Sequence, residues 1–321
     1  MISRFFYFLS VPIILFASCI KNDIAPQYTT FERNFDEITI NDIVKYNDSI
    51  FFFVGENNEN EGVIGRYNKN SNDYTEEEVA EILYGISISS EAIWVCGANM
   101  YLYKSLDDGS SWDRVNSFLY FWDVDISHLK EIYAIGNKPI LAIGTKHMLN
   151  GNFYNPNPVP HYPFQSTQLQ MGVNDMLVID STDIYIAGYG SILHVNGIDT
   201  KPRYCDIGGE NFTGITIAGQ SSIATCTFSG NIYIFNTIDS VWKKEYEGNI
   251  KLQHIIGDTY GNILAFGDKR YMLASNDHGD NWTRIKYPNA QDVTCVTYFD
   301  NHFYIGTSTG QIMEFERKQL E

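Results

Sequence analysis

Two segments, SLDDGSSW at residues 105–112 and SNDHGDNW at residues 275–282, follow one eight-residue pattern, Ser-x-Asp-x-Gly-x-x-Trp, in a chain of 321 residues. One match arises by chance in roughly one chain in a thousand, so two mark a repeated unit. The residue types suit a tight turn between strands. Ser105, Asp107, Ser275 and Asp277 can bond turn backbone, and Gly109 and Gly279 accept positive φ where the chain reverses. Trp112 and Trp282 then open the following strand with a ring large enough to fill the space between sheets.

A second repeat runs through the whole chain: an apolar strand that ends in Gly or another small residue. It recurs as FFFVG at Gly55, WVCG at Gly97, ILAIG at Gly144, YIAG at Gly188, IATC at Cys226, ILAFG at Gly267 and FYIG at Gly306, in steps of 42, 47, 44, 38, 41 and 39 residues. EIYAIG at Gly136 competes with Gly144 for the third place. Units of this length hold four short strands, and their radial repetition predicts an all-β, seven-bladed β-propeller, with six or eight blades as alternatives. The last unit supplies three strands before Glu321. Phe31-Glu32-Arg33 is similar to Trp112-Asp113-Arg114 and Trp282-Thr283-Arg284, so residues 28–38 are expected to form the missing outer strand, with Phe31 in the Trp slot, and to close the ring.

The Ser-x-Asp-x-Gly-x-x-Trp segments resemble the Asp box, or BNR repeat, of sialidases and many non-enzymatic propellers. That resemblance implies a structural turn on the blade periphery and nothing about catalysis. The combined order of an Asp-Val/Met-x-Val/Ile opening, a strand ending in Gly and the box is similar to photosystem II assembly-factor propellers, whose relatives include lipoproteins that serve as binding or assembly scaffolds. This chain has two intact boxes and an acidic balance where such relatives carry more boxes.

Residues 1–18 read as a secretory signal, with Arg4 before an apolar run too short to span a membrane. The run ends in Phe16-Ala17-Ser18-Cys19, which resembles a bacterial lipobox and implies acylation of Cys19 with a palmitate-type lipid. The expected organisation is a signal at 1–18, a lipid-anchored tether at 19–27 and the propeller at 28–321. Ile20 fits sorting to the outer membrane, facing periplasm or medium, and the Asn-, Ile- and Tyr-rich composition is similar to that of Bacteroidota. Loss of residues 1–18 removes Arg4 and no acid, leaving 21 basic against 39 acidic side chains, a charge of −18. Such a field repels phosphate backbones and anionic lipid, which excludes nucleic acid and leaves the lipid as the only membrane contact. Cys96, Cys205, Cys226 and Cys295 lack metal or redox spacing.

Two groups of residues are candidates for binding. Asp42, Asp123, Asp175 and Asp292 recur thirteen or fourteen residues before an anchor Gly, a spacing that places them at one mouth of the central channel. They either hold a cation such as Ca²⁺ or each caps its own turn. SFLYFW at 117–122 and NGNFYNPNPVPHYPFQST at 150–167 flank the third blade, and Tyr120, Trp122, Phe153, Tyr154, His161, Tyr162 and Phe164 are expected to form an aromatic platform for a glycan or a protein segment. No other cofactor is expected. Sialidase chemistry needs three Arg, a Tyr nucleophile and an acid-base Asp. Arg33, Arg114 and Arg284 fall on outer strands, leaving Arg66, Arg203 and Arg270. The favoured reading is a non-catalytic, lipid-anchored binding protein of the cell envelope; the alternative is a glycoside hydrolase of sialidase type.

Overall fold

The computed structural model describes residues 32–316 apart from 100, 116–128, 136–137, 144–146, 151–172, 181–182, 197–202, 206, 208, 268–270, 287–291 and 300. All regular structure among the described residues is antiparallel β. The first blade is β2 (Ile38–Lys45), β3 (Ile50–Asn57), β4 (Gly62–Asn68) and β5 (Asp73–Val79). The second is β6 (Leu83–Ile88), β7 (Ile93–Gly97), β8 (Leu102–Ser105) and β9 (Asp113–Val115). A sheet of β10 (Leu129–Ile135), β11 (Lys138–Ile143) and β12 (His147–Asn150) follows. Next come β13 (Val173–Asp180), β14 (Asp183–Gly188), β15 (Ser191–Asn196) and β16 (Arg203–Cys205), and then β17 (Phe212–Ile217), β18 (Ser222–Thr227), β19 (Ile232–Asn236) and β20 (Val241–Tyr246). After β21 (Leu252–Gly257), β22 (Ile263–Gly267), β23 (Tyr271–Ser275) and β24 (Thr283–Lys286), the last sheet joins β25 (Val293–Phe299), β26 (His302–Thr307) and β27 (Gln311–Glu316) to β1 (Glu32–Asn34).

Six of these sheets are four-stranded blades, which corrects the expectation of seven such blades: the β10–β12 sheet has three strands among the described residues. Each sheet starts at the centre and works outward. The innermost strands touch in the order β2, β6, β10, β13, β17, β21, β25, and β25 returns to β2. Antiparallel alternation puts the turns between second and third strands on one face, together with the connections into each innermost strand. We call this the top face; the remaining turns lie on the bottom.

The anchor glycines are set by close approach. A Cβ on Gly55, Gly97 or Gly267 would stand 1.8, 2.2 or 1.8 Å from the carbonyl oxygen of Thr39, Ile82 or Lys251 respectively, the residue just before the paired innermost position. The core lies between blades. Phe52, Val54 and Ile64 pack on Leu83, Ile93 and Val95, and Leu264, Phe266 and Met272 pack on Phe303, Ile305 and Met313.

The N-terminal strand is the outer edge of the last blade, pairing Glu32 with Met313, Arg33 with Ile312 and Asn34 with Gln311. Phe31 lies outside the described residues. The joint is made by Phe35, which is 3% exposed. Its amide donates to the Gly310 carbonyl at 2.8 Å, and its ring crosses to the first blade, 4.7 Å from Phe53, 5.5 Å from Tyr67 and 4.7 Å from Tyr74.

The two Ser-x-Asp-x-Gly-x-x-Trp turns share one bonding scheme on the bottom face. Ser105 Oγ donates to Asp107 Oδ1 at 2.8 Å and accepts from Gly109 N at 2.8 Å; Ser275 does the same with Asp277 and Gly279 at 2.8 and 3.0 Å. Asp107 and Asp277 accept again from Ser111 and Asn281. The bonds from Ser111 and Ser105 hold the Asp107 carboxyl down to about 2. Trp112 meets Phe52 of the first blade edge-on, and Trp282 lies 6.2 Å from Tyr246 of the blade before it. Both rings occupy the space between sheets.

Candidate functional site

Every innermost strand carries a bulge near its top end: between Ile40 and Asp42, Leu83 and Gly85, Leu129 and Glu131, Val173 and Asp175, Phe212 and Gly214, Leu252 and His254, and Val293 and Cys295. A bulge re-aims the side chains beside it. In four of these bulges the extra residue reaches across to the next blade. Asn41 Nδ2 donates to Leu83 O at 2.8 Å, Asn174 Nδ2 to Phe212 O at 2.7 Å and Thr213 Oγ1 to Leu252 O at 2.8 Å; Thr294 Oγ1 donates to Ile40 O and ties last blade to first.

The residues that follow, Asp42, Gly85, Glu131, Asp175, Gly214, His254 and Cys295, occupy equivalent places around the channel. Asp42 accepts from its neighbour Ile43 N and from Ile86 N of the next blade, both at 2.8 Å. Asp175 repeats this with Met176 N and Ile215 N, both at 2.7 Å. Enclosure by the surrounding strands pushes the two carboxyls up to about 7 and about 6, against the pull of those amides, and their mutual repulsion raises Asp42 further. Burial likewise holds His254 down to about 4.

Of the four expected channel aspartates, the structure therefore places two together. Asp123 lies outside the described residues. Asp292 is exposed just before β25, where its carbonyl accepts from Ser308 N at 3.1 Å, and Cys295 holds the equivalent place. Counting back from Gly306 misplaces it because Thr307, one residue later, is the true counterpart of Gly55. Among the described residues no group of three His, Cys, Asp or Glu gathers to hold a metal. The seven expected platform aromatics all lie outside the described residues.

The cysteines complement the ring. Cys96 pairs with Gly85, Cys226 with Gly214, and Cys295 with Gly306, and the thiols of Cys226 and Cys295 fill the space that Gly214 and Gly306 leave. All three are buried, and burial pushes the Cys226 thiol up to about 12, which keeps it protonated and inert.

The arginines are also used structurally. Arg114 lies 3.8 Å from the Tyr101 ring centre, Arg284 3.6 Å from that of Tyr271, and Arg33 5.5 Å from that of Phe35. Arg66 is on β4 and Arg203 on β16, third and fourth strands of different blades.

The top face carries one feature that the sequence reading missed. Gly188 and Thr227, which pair with Val173 and Phe212 as Gly55 pairs with Ile40, are each followed by an aromatic residue, Tyr189 and Phe228, and these are 71% and 41% exposed. Tyr189 bridges to Asn211, whose carbonyl accepts from Phe228 N at 2.9 Å, and Gly190 N donates to Glu210 O at 2.7 Å. Below, Glu210 accepts from Asn231 Nδ2 at 2.7 Å, Tyr233 OH at 3.0 Å and Ser229 Oγ. Burial pushes the Glu210 carboxyl up, but these donors bring it below its usual range.

No protein-family model matches the sequence, and no curated protein matches it. Solved structures do. YCF48 bound to a D1 peptide is similar with a TM-score of 0.74 at 13% identity, over 92% of this chain and 98% of that one. YCF48 from Cyanidioschyzon merolae gives 0.71 at 12%, covering 90% and 99%. The WD40 propeller domain of Doa1 gives 0.65 at 12%, covering 91% and 98%. Likeness at this identity is likeness of fold, and it establishes the chain as a β-propeller.

Proposed function

We propose that this protein is a non-catalytic propeller, anchored through lipid on Cys19, that binds a polypeptide partner at the cell envelope. One observation carries the reading: the groups that a hydrolase would use are tied into the architecture. Asp42 and Asp175 are held by amides of two blades, Asp107 and Asp277 by their own turns, and Arg33, Arg114 and Arg284 by aromatic faces. A general acid or base must reach substrate, and a carboxylate clamp needs its guanidinium groups to converge, whereas Arg33, Arg114 and Arg284 stand on the outermost strands of three different blades. The similarity to YCF48, which has been solved with a peptide, supports a protein partner. The envelope setting rests on the sequence signal at Cys19.

Two experiments test the reading. Metabolic labelling with a fatty-acid probe is expected to tag the wild type and not Cys19→Ala; label retained by the variant contradicts the anchor. A screen against sialosides and other glycans is expected to show no turnover, and turnover lost in Arg66→Ala or Asp175→Asn contradicts the binding role.

A further inference from the structure

We infer that the ledge spanning Tyr189, Asn211 and Phe228 is a docking site for a basic, proline-containing segment in the polyproline II conformation. The inference rests on the partner-binding reading and names the partner's chemistry. Three backbone segments lie side by side there, knit by the Tyr189–Asn211 bridge and by the Phe228 N to Asn211 O and Gly190 N to Glu210 O bonds. The middle segment is fixed from the channel side, where Asn174 Nδ2 donates to Asn211 Oδ1 at 2.8 Å.

The backbone beside Tyr189 and along the middle segment is bare. An added Cβ on Gly190 or Gly209 would meet nothing within 4 Å. Open space above backbone lets a partner's main chain approach closely. Neighbouring strands are about 4.8 Å apart, so the two aromatic residues stand about 10 Å apart across the middle segment. A polyproline II helix rises about 3.1 Å per residue with three residues per turn, so its side chains at i and i+3 share a face about 9 Å apart. An extended β segment offers no such match: its same-face side chains are about 6.7 or 13 Å apart. Exposed aromatic rings also suit proline, whose segment is already ordered before it binds.

Charge sets the remaining preference. The Lys251 ammonium, 4.4 Å from the Phe228 ring centre, is a local cation at the ledge, while the chain as a whole carries an acidic excess that gives −17. A cationic segment is drawn to that field, and anionic lipid or nucleic acid is repelled.

The test is selection of a random dodecapeptide display library on the full-length protein, followed by fluorescence anisotropy with the enriched peptides. Enrichment of net-positive peptides with prolines three residues apart is expected. The double variant Tyr189→Ala, Phe228→Ala is expected to weaken their binding about tenfold or more while its melting temperature stays that of the wild type, because both rings are exposed. Failure of any peptide to enrich, enrichment of acidic or proline-free peptides, or undiminished binding to the double variant would overturn the inference. So would glycan-array binding, or a concentration-dependent dimer, that the double variant abolishes. These last two results would leave a binding role standing, whereas glycan turnover would remove it.

Discussion

Ring closure through Phe35 gives the sharpest stability prediction. Its ring is 3% exposed and lies within 5.5 Å of the centres of Phe53, Tyr67 and Tyr74, all on the first blade, while its own strand belongs to the last. Phe35→Ala removes the transfer free energy of a buried ring and leaves a void between three aromatic neighbours that are themselves fixed by packing. Such truncations cost about 3–5 kcal/mol. For a domain of nearly 300 residues, at about 2.1 cal/mol/K per residue, a kcal/mol moves the melting temperature by about 1.6 °C, so a drop of roughly 5–8 °C is expected by scanning calorimetry or circular dichroism. Phe35→Leu, which refills part of the void, is expected to recover about half. Because the residue joins two blades, hydrogen exchange should also accelerate at β27 and at β2 together. A drop of under 3 °C, or faster exchange confined to residues 32–35, would refute the claim that Phe35 closes the ring.

Three further outcomes follow from the same geometry. Asp42 and Asp175 have carboxyls pushed up to about 7 and about 6 by enclosure, from 3.8, so the native state binds more protons than the unfolded one between about pH 4 and pH 7 and stability falls as pH rises through that window. The melting temperature is expected to decline from pH 5 to pH 8, and Asp42→Asn and Asp175→Asn to flatten the slope from a lower start, since an amide meets one of the two N–H donors; an unchanged slope contradicts the shift. Gly55→Ala is expected to cost about 1–3 kcal/mol, because its Cβ would stand 1.8 Å from Thr39 O; a denaturation midpoint equal to wild type contradicts the close-approach account. Asp277→Ala should cost about 1–3 kcal/mol by stranding donors on Ser275 and Asn281, and peptide binding at the top face should be unaffected, as checked by chemical denaturation and anisotropy.

The repeat was legible because its chemistry is forced. A glycine where two strands nearly touch, and a Ser-Asp-Gly turn that bonds itself, leave the same letters in each copy. The closing strand was legible because the last unit is one strand short, although the register sets Glu32, opposite Met313, and not Arg33 in the place of Arg114 and Arg284. Blade completeness was not: four strands per repeat follows from repeat length, and length alone does not say that β10–β12 pairs as three among the described residues. Nor was the channel ring. The last anchor is Thr307 rather than Gly306, and the step from it back to the ring is one residue shorter than for Asp42 or Asp175, so counting from Gly306 landed on Asp292 rather than Cys295, and a search for carboxylates passed over His254. The ledge escaped because its residues come from three separate connections. Its signal was nonetheless present, in the aromatic residue directly after Gly188 in AGYG and after Thr227 in TFSG, one residue beyond the Cys226 anchor, and in neither of the first two repeats, GENN and GANM.

A photo-crosslinking residue placed at position 189 on the top face, with a second protein carrying it at position 260 on the bottom, tests the central claim in cells most directly. Tyr260 is 62% exposed, so the two sites are comparably accessible. The account predicts a discrete polypeptide adduct from position 189 that position 260 does not give. Adducts from position 260 alone, or equal and heterogeneous labelling from both, would contradict it.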